Sequence, residues 1–343
     1  MDKVTHEMSE IIVSLTSYPA RIDIVNQTVE TLLNQSMKAD KVILWLAEEQ
    51  FPHKEKDLPQ KLLELTQKGL TIEWCNDIKS YKKLIPTLKK YPSATVVTAD
   101  DDVLYQHDWL EILVSSYAKN HNAIQAHRVH RILFRENQIL PYEQWGQCIS
   151  DNSTFFNNFF TGIGGVLYPA HCFDKEVFNE KKFMYLCPYA DDIWFWAMAA
   201  KNNVPVHVVE NCIMKFNCIS GTQDDCLWQS NVTLGKNDIQ LKNVLTEYPE
   251  IREKLDNTWT FERMLKENIN MKNTVKSVQS YKIFKIIPSL TIKKRGWRTT
   301  YMILGIPLWK VCRMGVIQRQ NIIFAVYRYL ENKPRKSVSK YKF

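Results

Sequence analysis

Glycine is scarce in this 343-residue chain, 10 residues beside 13 prolines. Neither a collagen-like nor a low-complexity chain has that composition, and an ordinary globular protein does. The eight cysteines include no C-x-x-C pair and no zinc-ligand spacing. Reduced thiols in a cytosolic protein are therefore expected. No uncharged apolar run reaches 18 residues, which argues against a transmembrane helix. The first ten residues are polar and lack an apolar h-region, so no secretory signal is expected. Acidic residues are almost absent from one stretch only. Residues 276–343 carry 16 Lys/Arg and a single acid, Glu331, whereas residues 1–275 carry 29 Lys/Arg and 36 Asp/Glu. An acidic globule is thus followed by a basic tail, a pattern that points to an anionic surface as partner.

What is present begins with regular alternation. Ile11-Ile12-Val13-Ser14-Leu15 reads as a buried strand, residues 24–33 as an amphipathic helix, and residues 41–46 as a second strand. A helix over 58–66, a strand over 70–74 and a Pro86-interrupted helical piece over 81–90 follow, then a strand over 95–99. This βα alternation predicts an α/β fold with a mostly parallel sheet covered by helices on both faces. Beyond residue 120 the pattern is less regular. Residues 123–134 and a glycine-bearing stretch over 159–169 read as strands, residues 190–200 as a helix and 204–209 as a strand. Residues 237–270 read as polar helix. The expected division is a domain over 1–270 and a basic, apolar-interleaved segment over 271–343.

Two acidic clusters carry the chemistry. Asp100-Asp101-Asp102 ends the fourth strand, where ligands of open α/β sheets sit. Carboxylates there suit Mg²⁺ or Mn²⁺, which completes its shell with substrate phosphates and water. The plain alternative is a solvated acidic turn. Asp191-Asp192 sits at a helix start, where one of the two is expected to cap the helix. The other is placed to act as a base toward a hydroxyl.

In this order and spacing, Ile12-Val13-Ser14-Leu15-Thr16-Ser17-Tyr18, the helix ending Leu32-Leu33-Asn34-Gln35-Ser36, the Asp100–Asp102 triplet and the Asp191-Asp192 pair resemble the GT-A glycosyltransferases, family 2 in particular. The resemblance covers about residues 10–220. It implies a Rossmann-like GT-A fold and an inverting transfer of sugar from a nucleotide-sugar, UDP-linked for preference, to a hydroxyl of a glycan or glycolipid. By the same resemblance, Thr16, Tyr18, Arg21, Asp77 and Asp101 would serve the nucleotide, and Lys82 or Lys83 its pyrophosphate. Asp100 and Asp102 would hold the cation, with His207 as a late ligand. Gly162, Gly164 and Gly165 would let the backbone pass close to donor sugar or acceptor, and Asp192 would be the base, with Asp191 as the alternative.

The chain departs from that family in two places. Ala47-Glu48-Glu49 stands where an Asp often follows the second strand, and Gly221-Thr222-Gln223 lacks the Arg-Trp of processive synthases. Arg128 and His130, on one face of an apparent strand, suit a phosphate or acceptor as well as an ordinary paired role. His207 between valines suits a satisfied core histidine, and Trp194 and Trp196 suit the core. The tail, with Ile, Leu, Trp and Tyr between Lys and Arg, suits an interfacial anchor on the inner face of the plasma membrane better than nucleic acid. Two rivals stay open: a sugar-nucleotidyltransferase, although its Gly-rich loop after the first strand is replaced by Thr16-Ser17-Tyr18-Pro19-Ala20-Arg21, and a non-enzymatic adaptor acting through the tail.

Overall fold

The computed structural model describes residues 9–222, 235–259 and the strand residues 290–295, 298–303 and 306–307. The chain divides into two units, Met1–Trp259 and Thr260–Phe343. The expected boundary at residue 270 lies outside the described residues.

Within the first unit, β1 (Ile11–Thr16), β2 (Lys41–Ala47), β3 (Leu70–Cys75) and β4 (Thr95–Thr98) form the parallel half of an eight-stranded sheet. β1 pairs with both β2 and β4 in parallel, and β2 with β3. These four carry near-continuous β-branched and aliphatic runs because both faces are covered. The helices α1 (Val25–Leu33), α2 (Gln60–Glu64) and α3 (Ile85–Lys90) supply the crossovers. Val25, Val29 and Leu32 of α1 are buried in one core with Val13, Leu15, Leu44 and Leu46. A buried polar chain fastens the sheet: the Ser14 and Trp45 side chains both reach Thr87 Oγ1 at 2.7 Å.

After the acidic triplet come the short β5 (Val103–Leu104) and α4 (Trp109–Lys119). The single strand expected over 123–134 is three pieces, β6 (Ile124–Ala126), β7 (Val129–Arg131) and β8 (Phe134–Arg135), with β9 (Gln138–Ile139) closing a hairpin on β8. Periodicity could not show the breaks, because each gap keeps a buried residue, His127 in the first and Ile132 in the second. β10 (Thr154–Phe155), β11 (Asn158–Phe160) and β12 (Val166–Tyr168) follow. The stretch expected as one strand over 159–169 is thus interrupted by a 3₁₀ turn, Gly162–Gly164. α5 (Glu180–Leu186), α6 (Asp191–Lys201), β13 (Val206–Val208), β14 (Asn217–Cys218) and α7 (Lys236–Glu247) complete the unit. The sheet order is β10-β13-β6-β12-β4-β1-β2-β3. β12 enters antiparallel between β4 and β6, which sets the 3₁₀ turn beside the carboxyl end of β4.

Gly165 makes that turn possible. Its φ is +80°, and a Cβ there would fall 2.3 Å from the Trp109 ring, whose Nε1 donates to the Gly164 carbonyl at 2.9 Å. Gly164 lies against the Arg128 backbone, where a Cβ would come within 2.8 Å of its nitrogen. Both glycines are therefore demanded by packing rather than by a passing ligand. We expect Gly165→Ala to cost about 2–4 kcal/mol, overpacking plus a left-handed backbone conformation. Urea unfolding measures it, and a wild-type midpoint would contradict the packing argument.

In the second unit the described backbone is an antiparallel meander, β15 (Leu290–Arg295), β16 (Arg298–Ile303) and β17 (Ile306–Pro307). Residues 281–288 and the expected helix over 322–330 lie outside the described residues. No described helix is long and apolar enough to cross a membrane.

Candidate active site

A cavity of about 750 Å³ opens at the carboxyl ends of β1 and β4, bounded by the loop after β3, the 3₁₀ turn Gly162–Gly164 and the start of α6. Its size falls in the range of small-molecule sites. Thr16, Tyr18, Arg21, Asp77, Lys82, Lys83, the whole Asp100–Asp102 triplet, Arg128, Gly162, Asp191 and Asp192 line it. The fold thus brings together residues up to 221 positions apart in sequence, from Thr16 to Asn237.

The triplet divides its labour by direction. Asp101 turns back into the protein, accepting from Ser17 Oγ at 2.6 Å and Arg21 Nη1 at 2.7 Å, while Thr28 Oγ1 of α1 holds its carbonyl at 3.0 Å. Asp100 and Asp102 flank it. The Tyr105 hydroxyl accepts from the Asp100 N–H at 2.8 Å, and Arg21 Nη1 lies 3.1 Å from Asp102 Oδ2. Burial, and after it the neighbouring Asp100, push the Asp102 carboxyl above the ordinary carboxylate range. A solvated turn would produce no such shift. Among the described residues no three His, Cys, Asp or Glu side chains form a metal cluster. Two facing carboxylates nevertheless suit a hard divalent cation that draws its remaining ligands from phosphates and water. Asp100 and Asp102 fit that role.

His207 does not. In β13 its Nδ1 lies 2.7 Å from Thr154 Oγ1 and its Nε2 3.3 Å from Asn120 Nδ2, and it is absent from the cavity lining. Burial lowers its pKa to about 4. The satisfied-core reading holds and the metal-ligand reading is corrected. His130 is likewise turned away: its Nδ1 accepts from the Cys148 N–H at 3.0 Å. Trp194 and Trp196 are buried in the core.

The two lysines expected at a pyrophosphate are already committed. Lys82, 2 % exposed, reaches Asp77 Oδ1 at 2.6 Å. Burial alone would raise the pKa of Asp77, but Lys82 and the Lys79 N–H hold it below the ordinary range. Lys83, 6 % exposed, lies 3.1 Å from both Asp100 Oδ1 and Asp191 Oδ2. Burial opposes its charge, yet Asp100, Asp191 and Asp192 keep the ammonium well above the ordinary lysine range. Lys83 is thus an internal cation joining the two acidic clusters.

The helix-cap reading of the Asp pair is also corrected. Ala190 is the N-cap of α6 and no side chain caps it. Asp191 instead accepts from Ser80 Oγ at 2.9 Å. Asp192 Oδ2 accepts from the Gly162 N–H at 2.9 Å, and its Oδ1 is buried with no hydrogen-bond partner. Burial first, and the adjacent Asp191 second, push the Asp192 pKa up to about 7. A Cβ on Gly162 would crowd Lys83 Nζ at 2.8 Å, Asp192 Oδ1 at 3.2 Å and Asp100 Oδ1 at 3.4 Å. Of the three glycines singled out in the sequence, Gly162 alone touches the cavity.

Several lining residues had no motif to announce them. Lys79 sits at φ +57°, its ammonium 3.9 Å from the centre of the Tyr189 ring. Gln50, just beyond the departing Ala47-Glu48-Glu49 loop, donates to Asp77 Oδ2 at 3.0 Å. Tyr142 lines the cavity edge-on to Phe159, and Phe159 does belong to an aromatic cluster visible in the sequence, Phe155-Phe156 and Phe159-Phe160, suited to packing or to an acceptor site. Tyr189 carried the one usable signal, an aromatic residue two places before the Asp pair.

An open, mostly parallel sheet with a carboxylate-rich cavity at its strand ends defines a Rossmann-like α/β protein. No family model matches the chain, and no curated protein does. Solved structures with a similar chain path include the inositol-1-phosphate CTP transferase from T. maritima (TM-score 0.38, 13% identity, 69% of this chain and 96% of that one). Two others are a CMP:2-keto-3-deoxy-manno-octonic acid synthetase with CTP (0.38, 10%, 67% and 100%) and a 4-diphosphocytidyl-2C-methyl-D-erythritol synthase (0.39, 10%, 67% and 100%). At that identity the likeness concerns architecture alone.

Proposed function

We propose that this protein is a glycosyltransferase of the GT-A type, moving a sugar from a nucleotide diphosphate to a hydroxyl with inversion. The observation that carries the reading is Asp192: a half-buried side chain whose carboxyl is pushed toward neutrality, one oxygen held by Gly162 and the other without a hydrogen-bond partner, in the same cavity as Asp100 and Asp102. A hydroxyl nucleophile must lose a proton in the transition state, and a base with a pKa near the operating pH serves it best.

Asp192 Oδ1 takes the proton of the incoming hydroxyl. Its oxygen bonds to the anomeric carbon as the bond from that carbon to the diphosphate breaks, and the electron pair leaves with the diphosphate. The anomeric carbon passes through oxocarbenium character, as in glycoside hydrolysis. Gly162 N–H aims the carboxylate, and Arg21 fixes the triplet. A divalent cation on Asp100 and Asp102, when bound, supplies neutralisation of the departing diphosphate. Lys79, paired with no carboxylate, supports the donor phosphates. The basic tail would hold the protein to an anionic membrane surface carrying a glycolipid acceptor.

Nucleotidyl transfer is the second reading, favoured by the cations Arg21, Lys82 and Lys83 around the cavity floor, since a nucleoside triphosphate requires such charge. Each of the three already faces a carboxylate. Moreover, a sugar phosphate attacks as an oxyanion and needs no base such as Asp192. A panel of nucleotide sugars, assayed with Mn²⁺, with Mg²⁺ and with EDTA, tests the proposal. Cation-dependent release of nucleoside diphosphate is expected, lost on chelation and in Asp102→Ala. Pyrophosphate release from a sugar phosphate and a nucleoside triphosphate would establish the rival instead.

A further inference from the structure

Five cations line the cavity, and three of them are spent on its own carboxylates: Arg21 on Asp101 and Asp102, Lys82 on Asp77, Lys83 on Asp100 and Asp191. Lys79 lies over Tyr189, on the side of the loop that holds Asp77. Arg128 stands elsewhere. Its Nη1 donates to Thr161 Oγ1 at 2.9 Å, and Thr161 directly precedes Gly162, whose N–H holds Asp192. The backbone of Arg128 is clamped against Gly164, so the side chain springs from a fixed point. Tyr142, in the same cavity lining, feels the charges of both Arg128 and Asp192. Arg128 is half-buried, and no carboxylate among the described residues lies within ion-pair distance of it. A guanidinium presents five N–H donors in a fork that matches carboxylate and phosphate, and one bond to a threonine leaves most of them open.

A half-buried guanidinium with a single neutral hydrogen-bond partner is only partly compensated for its desolvation. A neutral acceptor would leave it so. We propose that the acceptor carries an oxyanion, a carboxylate or a phosphate, close to its reacting hydroxyl, and that Arg128 receives it. This rests on the glycosyl-transfer reading and extends it, because Arg128 lies on the side of the base and not among the nucleotide contacts.

The test is calorimetric titration of the full-length protein saturated with UDP and Mg²⁺. Inorganic phosphate and methyl β-glucuronide are the two probes, on wild type, Arg128→Met and Arg128→Lys. Wild type should bind at least one probe about tenfold or more tightly than Arg128→Met, the scale of a lost charge-assisted hydrogen bond. Arg128→Lys should be intermediate, keeping charge but not the fork. The probe that shows the loss names the oxyanion. Equal affinities in wild type and Arg128→Met, or no binding of either probe to wild type, would overturn the assignment. A probe that binds the UDP-free protein but no longer binds once UDP saturates it would place Arg128 on the donor and overturn it as well. If UDP itself fails to bind, the glycosyl-transfer reading falls first, a distinguishable result.

Discussion

Asp192→Asn should slow sugar transfer by about 10²–10⁴-fold, the usual contribution of a positioned general base, and should stabilise the protein at pH 8. The amide keeps an oxygen for the Gly162 N–H but cannot take a proton. The stability effect follows from the pKa. Burial pushes the Asp192 pKa up to about 7, from an ordinary aspartate value of about 4, so its contribution to stability is complete below about pH 4 and lost as pH rises through 7. The amide removes that loss. Thermal melts at pH 8 should favour the variant, and at pH 4 the two proteins should converge. Wild-type kcat/KM should rise with pH through about 7 and then level off, while residual activity of the variant stays flat. A variant with full activity, or an unshifted melt at pH 8, would remove Asp192 from the centre of the site. On the proposed reading function and stability are opposed here: a base at Asp192 would be useful because the fold keeps its charge uncomfortable.

Lys83→Met is expected to cost about 3–5 kcal/mol, the scale of removing one partner from a buried ion pair. The loss should be pH-dependent in a definite sense. Without the ammonium, Asp100, Asp191 and Asp192 repel one another inside the protein, and Asp192, whose pKa burial already raises, loses the cation that favours its charged form. Destabilisation is therefore largest at pH 8 and shrinks toward pH 5 as the carboxyls protonate. Urea unfolding at the two pH values measures it. A pH-independent loss would mean that packing, not charge, is what Lys83 contributes.

The pH sense of these two predictions depends on carboxylates meeting in one cavity, which the sequence indicated only in part. The first four strands and their helices were legible because buried parallel strands are apolar runs and the intervening helices keep a 3.6-residue period. The Asp100–Asp102 triplet was legible for a related reason: it follows directly on such a run, and strand ends are where α/β folds place ligands. The Asp191-Asp192 pair was visible, but its environment was not. A capping and a non-capping aspartate look alike in sequence, and only the structure shows that Ala190 is the N-cap of α6 while Asp192 accepts from the Gly162 N–H.

Lys82 and Lys83 show the limit most plainly. As letters they are basic residues near a strand end, suited to phosphate. Folded, both are buried against carboxylates, and one of these, Asp191, lies 108 positions beyond Lys83 in sequence. His207 failed for the opposite reason, since strand pairing with β10 gave it a threonine partner and took it out of reach of the triplet.

By itself the sequence determined the α/β layering, the acidic strand end and the unequal charge of the two parts of the chain, because each is written in contiguous residues. The tertiary structure decided which cations remain for a substrate, which aspartate is held near neutrality and which glycines serve packing. Those properties arise from burial and from the sum of charges across distant loops, and a linear string carries neither.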